Sequence, residues 1–104
     1  MRAPLAGLAV LLLMSPAYAA APRTHVVVID KMKFGPVPKL VRPGDTIIWV
    51  NRDMFRHTAT ARNGSFNVDL PANSRGKSVI RAKGALPFYC KYHPAMTGTL
   101  KVSN

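Results

Sequence analysis

Leu86-Pro87-Phe88-Tyr89-Cys90-Lys91-Tyr92-His93-Pro94-Ala95-Met96-Thr97-Gly98-Thr99-Leu100-Lys101-Val102 reads as two strands around a tight loop. Leu86, Phe88 and Cys90 alternate onto one face before the loop, and Leu100 and Val102 share a face after it. The loop carries Cys, His and Met at three-residue spacing. Three extended residues span roughly 10 Å, so these side chains converge only if the chain turns between them. Pro94 restricts His93 to extended dihedrals and removes a backbone donor, and Thr97-Gly98 suits a turn back into the last strand.

Working outward, the strand period runs through the chain. Thr24–Asp30 holds the β-branched run Val26-Val27-Val28-Ile29. Gly35-Pro36 and Pro38 break the chain before Lys39-Leu40-Val41-Arg42, and Pro43-Gly44-Asp45 reads as a turn. Thr46–Asn51 has apolar residues on both faces, as a central strand would. His57–Ala61 is a strand, Asn63-Gly64 is a two-residue hairpin signal, and Ser65–Leu70 and Lys77–Ala82 follow. Pro87 cannot donate to a ladder, which predicts an edge or a bulge. No segment past residue 19 has a helical period. The expectation is all-β: a small antiparallel Greek-key sandwich or barrel of about eight strands.

Residues 1–19 are predicted to be a secretory signal peptide, with Arg2, an apolar run from Leu5 to Met14, and Ser15-Pro16-Ala17-Tyr18-Ala19 before cleavage. Cleavage after Ala21 also fits. Residues 20–104 then form one small domain, exported to the periplasm, without stable membrane insertion and monomeric. A domain of this size gains from a metal or a disulfide. Cys90 is the single cysteine, so no disulfide within the chain is available.

Fifteen Lys and Arg face four acids, a formal net charge of +11. Nucleic acid is the usual partner of such a balance, but export and the lack of a basic helical stripe or RNA-binding aromatic motif argue against it. A solvated cationic surface with no specific partner is the plain alternative to attraction by an anionic protein or membrane surface.

The chemistry lies in His57, Cys90, His93 and Met96. Each alone has an ordinary reading: a surface histidine, a buried thiol, half of a zinc site, a core methionine. Together, two imidazoles, a thiolate and a thioether are the donor set of a type 1, or blue, copper centre holding one copper ion. Haem c is excluded because Cys-x-x-Cys-His is absent. Zinc would need a second Cys or a further His near the loop. His25, the spare histidine, reads as solvated or structural. Such a centre has no open coordination position, so it is expected to move electrons and not to act as an enzyme.

With these residues in view the chain resembles the cupredoxins, the plastocyanin and azurin class, and within them the amicyanin-type branch. Asp30–Phe34, Pro43–Asp53, Phe88–Met96 and Thr97–Val102 carry the likeness, which covers most of residues 24–102. The resemblance implies single-electron shuttling between redox partners, with His57, Cys90 and His93 as equatorial ligands and Met96 axial. It also implies that Asn51 ties the upstream loop to the Cys loop, the alternative being a strand-end turn residue. A copper-delivery protein using the same ligands is the alternative. His93 would reach the surface among Pro94, Ala95, Met54 and Phe55. Arg52, Arg56 and Lys91 would steer an anionic partner, such as a c-type cytochrome or a dehydrogenase.

Overall fold

The computed structural model describes residues 21–104, with Gly7 alone before them. The expected signal peptide, Gly7 apart, and its cleavage after Ala19 lie outside the described residues. Eight strands follow in order: β1 (Thr24–Asp30), β2 (Lys33–Phe34), β3 (Thr46–Asn51), β4 (His57–Ala61), β5 (Asn67–Leu70), β6 (Arg75–Val79), β7 (Gly84–Tyr89) and β8 (Thr97–Val102). They form two four-stranded sheets, β2-β1-β3-β6 and β5-β4-β7-β8. The all-β, two-sheet architecture is the one expected from the sequence.

One pairing departs from an antiparallel plan. β1 and β3 run parallel, from Thr24 opposite Thr46 to Ile29 opposite Asn51. A parallel pair needs a crossover, which residues 35–45 supply. The Lys39–Arg42 run lies within that crossover as a single bridge, Val41 to Val102, tying it to the other sheet. Arg42-Pro43-Gly44-Asp45 closes as the expected turn, with Asp45 N–H donating to the Arg42 carbonyl at 3.0 Å and Gly44 at φ 96°.

Three local expectations change. Asn63-Gly64 is not a two-residue hairpin: Ala61 N–H meets the Phe66 carbonyl, so four residues form the loop. Asn63 holds it by accepting from Ser65 N–H. The sixth strand runs Arg75–Val79, starting before Lys77 and ending before Ala82. β7 is an inner strand, not an edge, despite Pro87. Its pairing with β4 ends at Phe88, and the Pro87 carbonyl accepts from Arg62 N–H just beyond. In a strand the N and O of one residue face the same side, so the missing donor falls where that ladder has stopped.

The core lies between the sheets. Ile47, Trp49 and Asn51 of β3 point inward, as do Leu86 and Phe88 of β7 and Leu100 and Val102 of β8. Phe88 sits edge-on to Phe34 (4.8 Å) and Trp49 (5.1 Å). The Trp49 indole N–H finds Ser78 Oγ at 3.1 Å, so the ring is buried with its polar atom satisfied.

Two buried carboxylates bracket β3. At its start, Asp45 accepts Arg23 N–H (2.9 Å) and Arg42 N–H (3.0 Å) and pairs with His25 Nε2 (2.9 Å). His25 is therefore structural. Burial opposes the charge on Asp45, but the two N–H groups and the His25 ring outweigh it and hold the carboxyl at about 2. A depressed carboxyl adds stability above its unfolded value near 3.9 and loses it as pH falls toward the folded one. Asp45→Asn is therefore expected to cost about 2 kcal/mol at neutral pH. It should also flatten the fall in stability between about pH 4 and 2. Denaturant unfolding across that range checks this, and a variant with the wild-type acid profile would remove the assignment.

Candidate metal centre

β4 opens on His57, β7 ends one residue before Cys90, and Met96 directly precedes β8. All three are buried, while His93 is half-buried at the surface. Between β7 and β8 the chain makes two successive turns. His93 N–H donates to the Cys90 carbonyl (3.3 Å) and Met96 N–H to the His93 carbonyl (2.8 Å). Cys90 N–H donates to the Met96 carbonyl (3.1 Å), closing the loop at its base. Three-residue turns are what bring residues at 90, 93 and 96 round to one side.

Three of the four predicted residues converge on one point. Cys90 Sγ lies 3.6 Å from His57 Nδ1 and 3.7 Å from His93 Nδ1. These three donor atoms all lie within 4.8 Å of one another. The two imidazole rings meet edge to face, 5.0 Å between centroids. Met96 is buried directly before β8. An apolar cavity bounded by Met32, Phe34, His93, Pro94 and Met96 flanks it.

The groups around Sγ suit a thiolate and a soft metal. Thr58 N–H donates to the sulfur from 3.4 Å. His57 Nε2 is taken by Asp53 Oδ2 at 2.8 Å, so the ring presents Nδ1 to the sulfur. A thiol proton can serve only one of the two facing nitrogens. The donor set therefore fits a cation at its centre.

The sequence reading missed two supports. Asp53 is buried, and its carboxylate accepts Lys31 N–H (2.7 Å) and Met32 N–H (2.9 Å) besides His57. Burial works against its charge, yet Met32 N–H, the His57 ring and Lys31 N–H outweigh it and hold the carboxyl below the usual range. Its position four residues before His57 was the available signal. Thr58 is the second: its Oγ1 accepts Lys91 N–H at 2.9 Å, linking β4 to the Cys loop. That is the tie expected of Asn51. Asn51 instead donates to the carbonyls of Phe55 (2.8 Å), Leu70 (3.0 Å) and Pro71 (3.2 Å), and accepts Asp53 N–H (2.9 Å). It fixes the loop before His57 to the end of β5.

The surface around His93 is apolar. Met54 and Phe55 are 83% and 59% exposed, Tyr92 is 54% exposed, and Pro94 and Ala95 are exposed beside them. Phe55 lies edge-on to the His93 ring at 6.4 Å. Arg56 is less free than its place in sequence suggests. It grips Asp69 through Nε–Oδ1 (2.9 Å) and Nη2–Oδ2 (2.5 Å), and both side chains are solvent-exposed.

No family model matches the chain. Over 93 residues it is 27% identical to amicyanin from Paracoccus versutus, spanning 83% of this chain and 70% of that protein. The Cu(I) structure of a methionine-to-alanine amicyanin mutant superposes with a TM-score of 0.64 at 26% identity, covering 77% of this chain and 82% of that one. A purple cupredoxin from Nitrosopumilus maritimus shares the fold, with a TM-score of 0.64, 23% identity, and 76% and 99% of the two chains covered.

Proposed function

We propose that the chain, similar in sequence and fold to amicyanin, is a cupredoxin that holds one copper ion and carries single electrons between partner proteins. His57, Cys90 and His93 would be the close ligands and Met96 the weak axial one. The observation that carries this is the triangle of the buried Cys90 Sγ and two imidazole Nδ1 atoms, 3.6 and 3.7 Å from the sulfur and within 4.8 Å of each other. When bound, copper supplies one-electron chemistry between Cu(II) and Cu(I), and this mixed donor set strongly penalises neither state.

The protein's part is to hold its ligands still. The two closing turns fix Cys90, His93 and Met96 relative to one another. Asp53 and Thr58 fix His57 and the thiolate from outside. His93 lies half-buried at the surface beside exposed Phe55 and Pro94, where a partner can approach the ligand edge closely. This is the role of a carrier and not of an enzyme. Adding Cu(II) to the purified protein should develop an intense thiolate-to-copper band and a matching EPR signal, saturating at one ion per chain. Copper uptake without that band would overturn the reading.

Residues 1–19 would export the protein to the periplasm, checked by mass spectrometry of the chain recovered there. Among the described residues no helix is long and apolar enough to cross a membrane. The partner would be an anionic redox protein, such as a c-type cytochrome or a dehydrogenase. Exposed Arg52 and Lys91 would steer it, Arg56 being partly neutralised by Asp69. Exposed charges are screened over roughly 8 to 10 Å at physiological ionic strength. The bimolecular transfer rate should therefore fall steeply with salt. Lys91→Glu should slow association while sparing the copper spectrum, and Asp69→Asn should speed it by freeing Arg56. Stopped-flow rates that ignore salt would sink the steering argument.

A further inference from the structure

The β1–β2 connection contains a conformational oddity with a use. Asp30 pairs with Lys33, so Lys31 and Met32 alone make the turn, at φ 52° and 62°. Two-residue hairpins with both residues left-handed are normally built from Asn and Gly. A Cβ makes this region costly, and Lys and Met gain nothing from it themselves. The conformation aims two successive N–H groups at one place. Lys31 N–H reaches Asp53 Oδ1 at 2.7 Å and Met32 N–H reaches Asp53 Oδ2 at 2.9 Å. On its other side the same Oδ2 takes His57 Nε2 at 2.8 Å.

We infer that Asp53 is a positioning residue for the metal centre, and that the left-handed Lys31–Met32 turn serves to hold its carboxylate in line with the His57 ring. This rests on His57 being a metal ligand. The carboxylate is held by the two turn N–H groups, while Asn51 Oδ1 anchors its backbone through Asp53 N–H at 2.9 Å. With Nε2 committed as donor to a carboxylate, His57 keeps one tautomer and one ring orientation, its Nδ1 lone pair facing Cys90 Sγ. A full negative charge one hydrogen bond behind a ligand ring also makes that ring a stronger donor and favours the more positive state of a bound metal.

The fold contains its own control. Asp45, at the opposite end of β3, has the same arrangement: two backbone N–H groups and a histidine Nε2 on one buried carboxylate. No ligand touches that histidine. If closing backbone turns were all such a carboxylate does, the two aspartates would behave alike.

The experiment compares Asp53→Ala, Asp45→Asn, and Asp53→Ala combined with Lys31→Asn and Met32→Gly, which rebuilds the turn without the carboxylate. The His57 tautomer is read by nitrogen-15 NMR in metal-free protein. Unfolding, Cu(II) affinity and reduction potential are then measured. Asp53→Ala, which leaves Nε2–H no acceptor there, should lose the single Nε2–H tautomer, weaken Cu(II) binding 10- to 100-fold, and shift the potential upward. The rebuilt turn should recover stability but neither tautomer nor potential. Asp45→Asn should lose stability with tautomer and potential unmoved. A wild-type tautomer in Asp53→Ala, or a wild-type potential once the turn is rebuilt, would reduce Asp53 to a turn-closing residue. Failure of the wild-type protein to bind copper would sink the functional reading, while the metal-free NMR arm would still decide whether Asp53 aims His57.

Discussion

Cys90→Ser is expected to give a folded protein that develops no intense visible band with Cu(II) and no reversible one-electron wave. The fold should survive because the hydroxyl inherits a prepared place. Thr58 N–H can donate to it at the position of Sγ, and His57 Nδ1 can accept from it. Putting a satisfied hydroxyl where a thiol stood costs about 1 kcal/mol, a small part of a domain's stability. The centre should fail because a serine oxygen is neither soft nor readily ionised beside two neutral imidazoles. Copper affinity should fall with it, and any remaining ion should give the EPR spectrum of ordinary nitrogen and oxygen ligation. Visible and EPR spectra of the variant after Cu(II) addition decide the matter. A retained blue colour would mean that Cys90 is not the donor.

The centre was largely legible in the sequence because its chemistry is local. Cys90, His93 and Met96 sit within seven residues, and Pro94 and the flanking alternation already demand a tight loop between strands. The strands were legible for the same reason, and His57–Ala61 and Thr46–Asn51 have the extents expected. What escaped depends on register between distant segments. Asp53 meets Lys31 and Met32 only because β1 lies parallel to β3, which places Asn51 opposite Ile29 and the two following loops side by side. Nothing in Lys31-Met32 predicts a left-handed turn, since its support comes from a side chain more than twenty residues away. Thr58 replaces Asn51 as the tie to the Cys loop because β4 pairs with β7 only near Tyr89, leaving Lys91 N–H free to reach its hydroxyl. Arg56 looked like a free cation beside the ligand until pairing of β4 with β5 set Asp69 across from Thr58 and within its reach.

Gly98→Ala should destabilise the protein although alanine is ordinarily the better strand residue. In the β7–β8 ladder Phe88 stands directly opposite Gly98. Its ring lies across the glycine, so an added Cβ would overlap Cζ and sit 2.8 Å from Cε2 and 3.0 Å from Cε1. The ring has nowhere to go, because Phe34 and Trp49 are edge-on to it at 4.8 and 5.1 Å and Phe66 closes a third side. Replacing glycine in a strand normally gains about 0.5 to 1 kcal/mol. Forcing an extra carbon into a packed core costs about 1 to 3 kcal/mol. A contact this short against a ring clamped on three sides belongs at the upper end, so the net change should be a loss of about 2 kcal/mol. Gly98→Val should lose more. The effect should reach the centre too, since Met96 lies two residues before Gly98 and Cys90 two after Phe88. Strands that spread here separate the ends of the ligand loop. Denaturant unfolding of the metal-free variant and EPR of the copper-loaded one should therefore change together. An alanine variant as stable as the wild type, with an unaltered EPR spectrum, would show that the Phe88 ring can give way without moving either strand.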